Sequence, residues 1–253
     1  MLLLITSCIR VRPEIRYVEV RDEEVRLAGY LETLEWAIRD TPFDEIVFCD
    51  NSDYEIARDR TGELLAEAAS RGKSIDFFHF PGSEGSITSG KGYGEGEIIE
   101  YVYDHAPRMR EASCFHKITG RLTVANLQEL AINEVPENVI GFNDRMRRMD
   151  TRFYKMSMKT FRDVMKKAYT NVDDDAGAYL ECVFYETFHA AKEAFAPFPG
   201  IVEYRGVSGS TGATYRMENR MTPRQRRLLC SPLMRTYAGR ALMKHLPHHL
   251  YGI

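Results

Sequence analysis

The residues best suited to chemistry lie between positions 90 and 121. A glycine-dense run, Gly90-Lys91-Gly92-Tyr93-Gly94-Glu95-Gly96-Glu97, leads into an apolar pattern at Ile98, Ile99 and Val102. Glycines let a backbone approach a ligand and adopt positive φ, so the run is expected to be a loop that opens a helix. Further on, CFHKITGR reads as a short strand with Lys117, Thr119, Gly120 and Arg121 at its polar end. A planar guanidinium and a lysine point charge beside a glycine suit a phosphate or diphosphate, with Lys91 and Gly92 as helpers. Taken singly, each feature is as readily a surface loop or a solvated cation. Together, after two strand–helix units, they point to a ligand at the carboxyl ends of the strands.

Carboxylates of the second half are the candidates for proton transfer. Glu181 stands among Leu180, Val183 and Phe184 on a largely apolar helix, where a carboxylate is either paired or functional. Asp174, in the acidic turn Asp173-Asp174-Asp175, is the second candidate, and a solvated turn is its plain reading. Asp150-Thr151-Arg152 either orients the base, binds an acceptor or forms an internal ion pair. Asp50-Asn51-Ser52, after the second strand, can accept hydrogen bonds from a ribose or base, or form an Asx turn; Ser7 ends the first strand beside it. Ser208-Gly209-Ser210-Thr211-Gly212 is either a lid using its backbone N–H groups or a plain surface loop. The histidines show no ligand spacing.

These residues must be held by an alternating framework. LLLITS at the start reads as a buried strand and not as a signal peptide. A helix over Val25–Arg39 has Leu27, Leu31, Leu34 and Ile38 on one face. EIVFC is the second strand, Tyr54–Arg71 the second helix, Ile75–Phe80 the third strand and Phe115–Ile118 the fourth. This β-α-β-α-β-α-β order predicts an α/β domain with a mainly parallel sheet. Later elements are short strands at Val139–Phe142, Arg152–Met156 and Ile201–Arg205. Helices are expected from Ser157 to Lys167 and from Tyr179 to Ala194. Thr222-Pro223 and Ser231-Pro232 each look like a helix start.

Composition narrows the classes. The 253 residues, 44% hydrophobic and 28% charged with net charge −3, describe one large soluble domain and no general polyanion binder. Positions 216–253 hold eight Lys/Arg against one Glu, leaving the first 215 residues strongly acidic. That basic end could dock on anionic lipid or pack on the body or on a second copy. There is no aromatic–basic platform for nucleic acid. Five cysteines without a CxxC pair, Cys8, Cys49, Cys114, Cys182 and Cys230, read as buried free thiols in a reducing compartment.

The segments ITSC and EIVFCDNS, with the glycine-rich helix start before the fourth strand, resemble the nucleotide-sugar half of GT-A-type glycosyltransferases. GKGYGEGEII, KITGR, MDTRFYKMS, YLECVFYE and GVSGSTG further resemble bacterial glycosyltransferases of surface-polysaccharide (capsule, O-antigen, lipopolysaccharide) synthesis. The resemblance covers most of 1–215. It implies a Rossmann-like GT-A-type fold with a mixed, mainly parallel sheet flanked by helices. Residues 1–128 would be the nucleotide-sugar half, 129–215 the acceptor half and 216–253 a basic helical extension. It implies a nucleotide-sugar donor, a glycan or lipid-linked acceptor, and a cytoplasmic place at the inner face of the membrane.

On that resemblance the nucleotide and phosphate residues are Ser7, Asp50, Asn51, Ser52, Lys91, Gly92, Lys117, Thr119, Gly120 and Arg121. The acceptor or lid residues are Arg152, Ser208, Ser210 and Thr211, and the catalytic carboxylates are Glu181, Asp174 and Asp150. The family commonly holds a divalent metal through Asp-x-Asp after the fourth strand. Here that place reads Lys117-Ile118-Thr119-Gly120-Arg121, so cations replace the metal and no cofactor is expected. Asp150 or the Asp173–Asp175 run remain as oxygen ligands for an ion. The alternative is a nucleotide- or sugar-phosphate-binding protein, or a nucleotidyltransferase.

Overall fold

A computed structural model describes residues 1–209 and 211–216. Its main strands are β1 (Leu2–Ser7), β2 (Glu45–Asp50), β3 (Ser74–His79), β4 (Cys114–Thr119), then, after a short β5 (Leu122–Val124), β6 (Val139–Asn143) and β7 (Arg148–Ser157). Six of them form one sheet in the order β3-β2-β1-β4-β7-β6. The first four are parallel, while β7 runs antiparallel to both β4 and β6. This is the mixed, mainly parallel α/β architecture expected. β1 is buried at every position. Its Leu2 and Leu4 face one core and Leu3 and Ile5 the other, which is why the run needs no polar face.

Helix α1 (Glu23–Arg39) starts where Asp22 Oδ1 accepts the Val25 N–H at 2.9 Å, with Glu23 and Glu24 complementing the helix dipole. Its Leu34, Ala37 and Ile38 enter the second core. Helix α2 (Arg58–Ser70) begins at Arg58 instead of Tyr54. Asp53 turns at φ 55° and its N–H bonds to Phe80 O at 3.1 Å, which pulls the chain across to the end of β3 first.

The glycine run is the largest departure from expectation. It is not a loop. After a short α3 (Glu84–Ser89), α4 (Lys91–His105) contains Gly92, Gly94 and Gly96, and only Gly90, at φ 101°, forms the break. Glycine inside a helix costs roughly 0.5–1 kcal/mol relative to alanine. The compensation is proximity: a side chain at Gly96 would overlap Tyr169.

A short α5 (Pro107–Glu111) precedes β4. The helix expected from Ser157 forms as one α-helical turn, α6 (Met158–Thr160), capped by Ser157 Oγ and continued by a π-helical segment, Phe161–Met165, that Lys166 N–H to Phe161 O closes at 2.8 Å. Helix α7 (Leu180–Ala191) buries Leu180, Val183, Phe184 and Phe188 against the first core. Each such side chain stabilises the fold by about 1.5–3 kcal/mol.

The strand expected at Ile201–Arg205 is displaced to β8 (Tyr204–Val207). With β5 and β9 (Thr214–Arg216) it makes a second sheet in the order β5-β8-β9. That sheet returns the chain to the turn after β4. The two proline-led helix starts, Cys230 and most of the basic extension lie outside the described residues. Cys8, Cys49, Cys114 and Cys182 are free, and of these only Cys49 is buried. Among the described residues no helix is long and apolar enough to cross a membrane.

Candidate active site

The carboxyl edge of the parallel strands divides into two regions. The first surrounds Asp50, which the structure buries completely. One carboxylate oxygen accepts from Ser7 Oγ at 2.9 Å and from the Ile9 N–H at 2.8 Å. The other accepts from the Ser52 N–H at 2.8 Å, from Ser52 Oγ at 2.5 Å and from the Tyr54 N–H at 3.3 Å. Ser52 Oγ in turn accepts from the Arg10 N–H at 2.9 Å. Asp50 therefore ties the ends of β1 and β2 together and has no oxygen left for a ribose or base, which corrects the reading of Ser7, Asp50 and Ser52 as ligand contacts. Asn51 is also buried; its Nδ2 donates to Gly94 O at 3.3 Å, and its Oδ1 is buried without a partner.

The second region is centred on Lys117, also fully buried. Its ammonium contacts Glu95 at 2.6 Å, Thr119 Oγ1 at 2.7 Å and Thr151 O at 2.8 Å. Thr119 Oγ1 donates to the other oxygen of Glu95 at 3.2 Å. All three ammonium donors are taken, so Lys117 does not face a phosphate, contrary to the sequence reading. Burial pulls its proton affinity below the ordinary lysine value, and Glu95 opposes that. Gly120 has a packing role: its N–H bonds Thr6 O at 2.9 Å and a side chain there would overlap the Tyr30 ring.

Arg121 differs from the other residues of that turn. At φ 67° it leaves the strand and lays its guanidinium 5.5 Å from the Tyr30 ring centroid, against Gly29 and Gly209. Its Nε is buried without a partner. Of the two cations of KITGR it is the one without an ion pair among the described residues. Arg26, buried beneath it on α1, donates to Cys8 O and Val20 O and so holds the root of the β1–α1 loop.

The later carboxylates separate by partner. Asp150 is buried and bidentate with Arg152, both bonds 2.8 Å, and accepts from Tyr204 OH at 3.0 Å. Arg152 also lies 4.2 Å from the Tyr204 ring centroid. Burial alone would lower its proton affinity, but Asp150 raises it above the ordinary value. Arg152 is thus the partner of Asp150 and not of Glu181. Asp174 packs against Gly90 and accepts the Lys91 N–H at the start of α4; burial raises its pKa while Lys91 holds it down. Asp175 pairs with Arg16 at 2.8 Å on the surface.

Glu181, half-buried in the first turn of α7, has no side-chain ion pair among the described residues. Burial raises its pKa, its own backbone N–H lowers it, Glu95 raises it, Lys91 lowers it and Asp150 raises it. Its carboxylate accepts from its own backbone N–H and makes no ion pair among the described residues. Lys91, at the N-terminus of α4, contributes its charge to both Asp174 and Glu181. Gly92 packs on Leu180. Ser208 and Thr211 form the β8–β9 turn, with Ser208 N–H to Ala213 O at 2.9 Å and Thr211 N–H to Ser208 Oγ at 3.3 Å. Ser210 lies outside the described residues.

Sequence reasoning missed Glu95 and the arginines of the β1–α1 loop. The loop's signal was visible as Arg10, Arg12, Arg16 and Arg21 after the first strand, with Arg26 following on α1. Glu95 was hidden inside a run read for its glycines.

No family model matches the chain, and no curated protein does. Solved structures of similar shape include the galactosyltransferase LgtC in complex with donor and acceptor sugar analogues, at 12% identity over 73% of this chain and 69% of that one, TM-score 0.46. An active-site mutant of LgtC aligns at 13% identity over 68% of this chain and 65% of that one, TM-score 0.41.

Proposed function

We propose that the protein is a nucleotide-sugar-dependent glycosyltransferase in which Arg121 meets the donor diphosphate and Glu181 is the base for the acceptor hydroxyl. The observation that carries this reading is a cation and a carboxylate that make no ion pair among the described residues. Arg121 has a buried Nε without a partner, and Glu181 is a half-buried carboxylate without an ion-pair partner among the described residues. An inverting transfer needs these two groups: a cation to stabilise charge on the leaving diphosphate and a carboxylate to take the acceptor proton as the anomeric carbon is attacked. Glu181's proton affinity is raised by burial, in the direction useful to a base near neutral pH.

A divalent metal does not fit the β4–β5 turn. Thr119, Gly120 and Arg121 offer no carboxylate there, and among the described residues no three His, Cys, Asp or Glu groups gather to hold an ion. A nucleotidyltransferase would need such carboxylates beside the glycine run. Glu95 there is bonded to Lys117 and Thr119, and Glu97 accepts the Ser83 N–H at 3.0 Å. The acceptor is a glycan or lipid-linked glycan of surface-polysaccharide type, and the basic residues after 216 bring the enzyme to the anionic face of the membrane.

The test is a thermal-shift and nucleotide-release screen with UDP-glucose, UDP-galactose, UDP-N-acetylglucosamine and GDP-mannose, with and without Mn²⁺. A donor that binds the native state raises the melting temperature. The expected result is a shift with at least one donor, without Mn²⁺, and release that Glu181→Gln abolishes. No shift with any donor overturns the reading.

A further inference from the structure

The middle of the β1–α1 loop has no place in the proposed donor or acceptor contacts, yet it is fastened to three other elements. Arg12 reaches Glu84 on α3 at 3.8 Å, and Arg16 pairs with Asp175, in the turn before α7, at 2.8 Å. The Glu19 N–H bonds Gly209 O in the β8–β9 turn at 3.1 Å. Two of these fastenings sit beside residues of the candidate site. Gly209 lies so close to the Arg121 guanidinium that a side chain there would overlap it. Asp175 follows Asp174, which packs on Gly90 before α4. The backbone from Arg16 to Glu19 reaches at most about 11 Å, so four residues bridge the β8–β9 turn and the turn that enters α7.

The ends of the loop and its middle are held differently. At one end the Ile9 N–H bonds Asp50 and the Arg10 N–H bonds Ser52. At the other, buried Arg26 donates to Cys8 O and Val20 O. Between them the loop is braced on itself: Arg21 donates to the carbonyls of Arg12, Pro13 and Ile15 at 3.3, 3.4 and 2.6 Å, and the Ile15 N–H bonds Arg12 O at 3.2 Å. Ile15 is the one buried residue between positions 11 and 20. Both ion pairs to other elements are exposed, and such pairs are weak and screened by salt. Exposed Tyr17 sits between two fastenings at φ 59°, a conformation unfavourable for a bulky side chain. A segment braced within, held firmly at both ends and fastened by weak contacts in the middle can lift as one piece.

We propose that residues 11–20 are a strap over Arg121, that the Arg16–Asp175 pair is its latch, and that release of the latch admits an anionic ligand. That the ligand is a nucleotide sugar rests on the reading of Arg121 given above; the strap itself does not.

The experiment labels the full chain with phenylglyoxal, a dicarbonyl that adds to guanidinium groups. Peptide mass spectrometry follows the initial rate at Arg121, with exposed Arg162 as the internal control. The variants are Asp175→Asn, Arg16→Glu and the charge-exchanged Arg16→Glu/Asp175→Arg. The expected result is Arg121 labelled about two- to fivefold faster in each single variant, the range that loss of one exposed ion pair gives. The exchanged pair returns to about the wild-type rate. Raising NaCl from about 0.05 to about 0.5 M speeds labelling in wild type and leaves Asp175→Asn unchanged. A contact that serves stability alone moves the melting temperature and not the Arg121 rate. Equal Arg121 rates in all forms, or faster labelling that the exchanged pair does not reverse, overturn the proposal.

If Arg121 labels in none of the forms, amide hydrogen exchange over residues 11–20 makes the same test: about two- to fivefold faster exchange in the single variants supports the strap, and equal exchange overturns it. Calorimetry with UDP on the wild type separates the two readings. Faster labelling in the single variants without UDP binding leaves the strap and removes the donor reading. UDP binding with equal labelling in every form removes the strap alone.

Discussion

Asp50 ends β2 and Glu181 opens α7, and the fold treats these two carboxylates in opposite ways. Asp50 accepts five hydrogen bonds from Ser7, Ile9, Ser52 and Tyr54. Glu181 has no ion-pair partner among the described residues, and burial raises its pKa. A buried charge with every acceptor site filled is part of the scaffold; a partly buried one without an ion pair is the better candidate for contact with another molecule. The same contrast separates the cations. Lys117 is enclosed by three acceptors, while Arg121 keeps an unpartnered Nε.

The sharpest way to break this comparison is to remove each carboxylate in turn. Glu181→Gln is expected to lower transfer by about 10²–10⁴-fold, the range for a lost general base, with nucleotide affinity unchanged by calorimetry. The variant also folds at least as stably as wild type at neutral pH. A carboxylate whose folded pKa lies above its unfolded value favours folding below the unfolded value, and that contribution is lost as pH rises through the folded one. Glutamine removes the cost above that point. Urea melts that show the advantage disappearing as pH falls would confirm the sign.

Asp50→Ala should instead destabilise by about 3 kcal/mol or more, because charge-assisted hydrogen bonds contribute roughly 1.5–3 kcal/mol each and buried donors are left unpaired. A variant with wild-type urea midpoint and weak nucleotide binding would return Asp50 to the ligand. Among the cations, Arg121→Ala is expected to weaken UDP binding about tenfold, the loss of one charge-assisted contact, with little change in melting temperature. Lys117→Ala should lose stability first, since it strands Glu95. Equal effects on affinity would erase the distinction. The smallest effect is expected at Arg16–Asp175, whose partners are 67% and 55% exposed. A double-mutant cycle there should give a coupling under about 1 kcal/mol; a larger value would make that contact part of the site.

The order of strands and helices through β4 was legible because their signals are local. LLLITS and EIVFC are continuous apolar runs, and the α1 face repeats at helical spacing. The half-burial of Glu181 was legible for a related reason: Leu180, Val183 and Phe184 beside it turn the first turns of its helix toward the core. The glycine run was not, because glycine marks both a loop and a helix pressed against its neighbours, and only the position of Tyr169 against Gly96 separates the two.

What the residue types alone determined is therefore a layered α/β frame with cations and carboxylates near its carboxyl edge. Which of those charges remain open was decided by tertiary structure. Arg152 lies two residues from Asp150 and closes on it with two bonds of 2.8 Å. Lys117 and Glu95 lie on different elements, yet pair at 2.6 Å once α4 packs on β1 and β2. Hydrogen-bond satisfaction is a property of positions in space: a side chain's type says what it can donate or accept, and only the folded neighbours decide whether anything is left over.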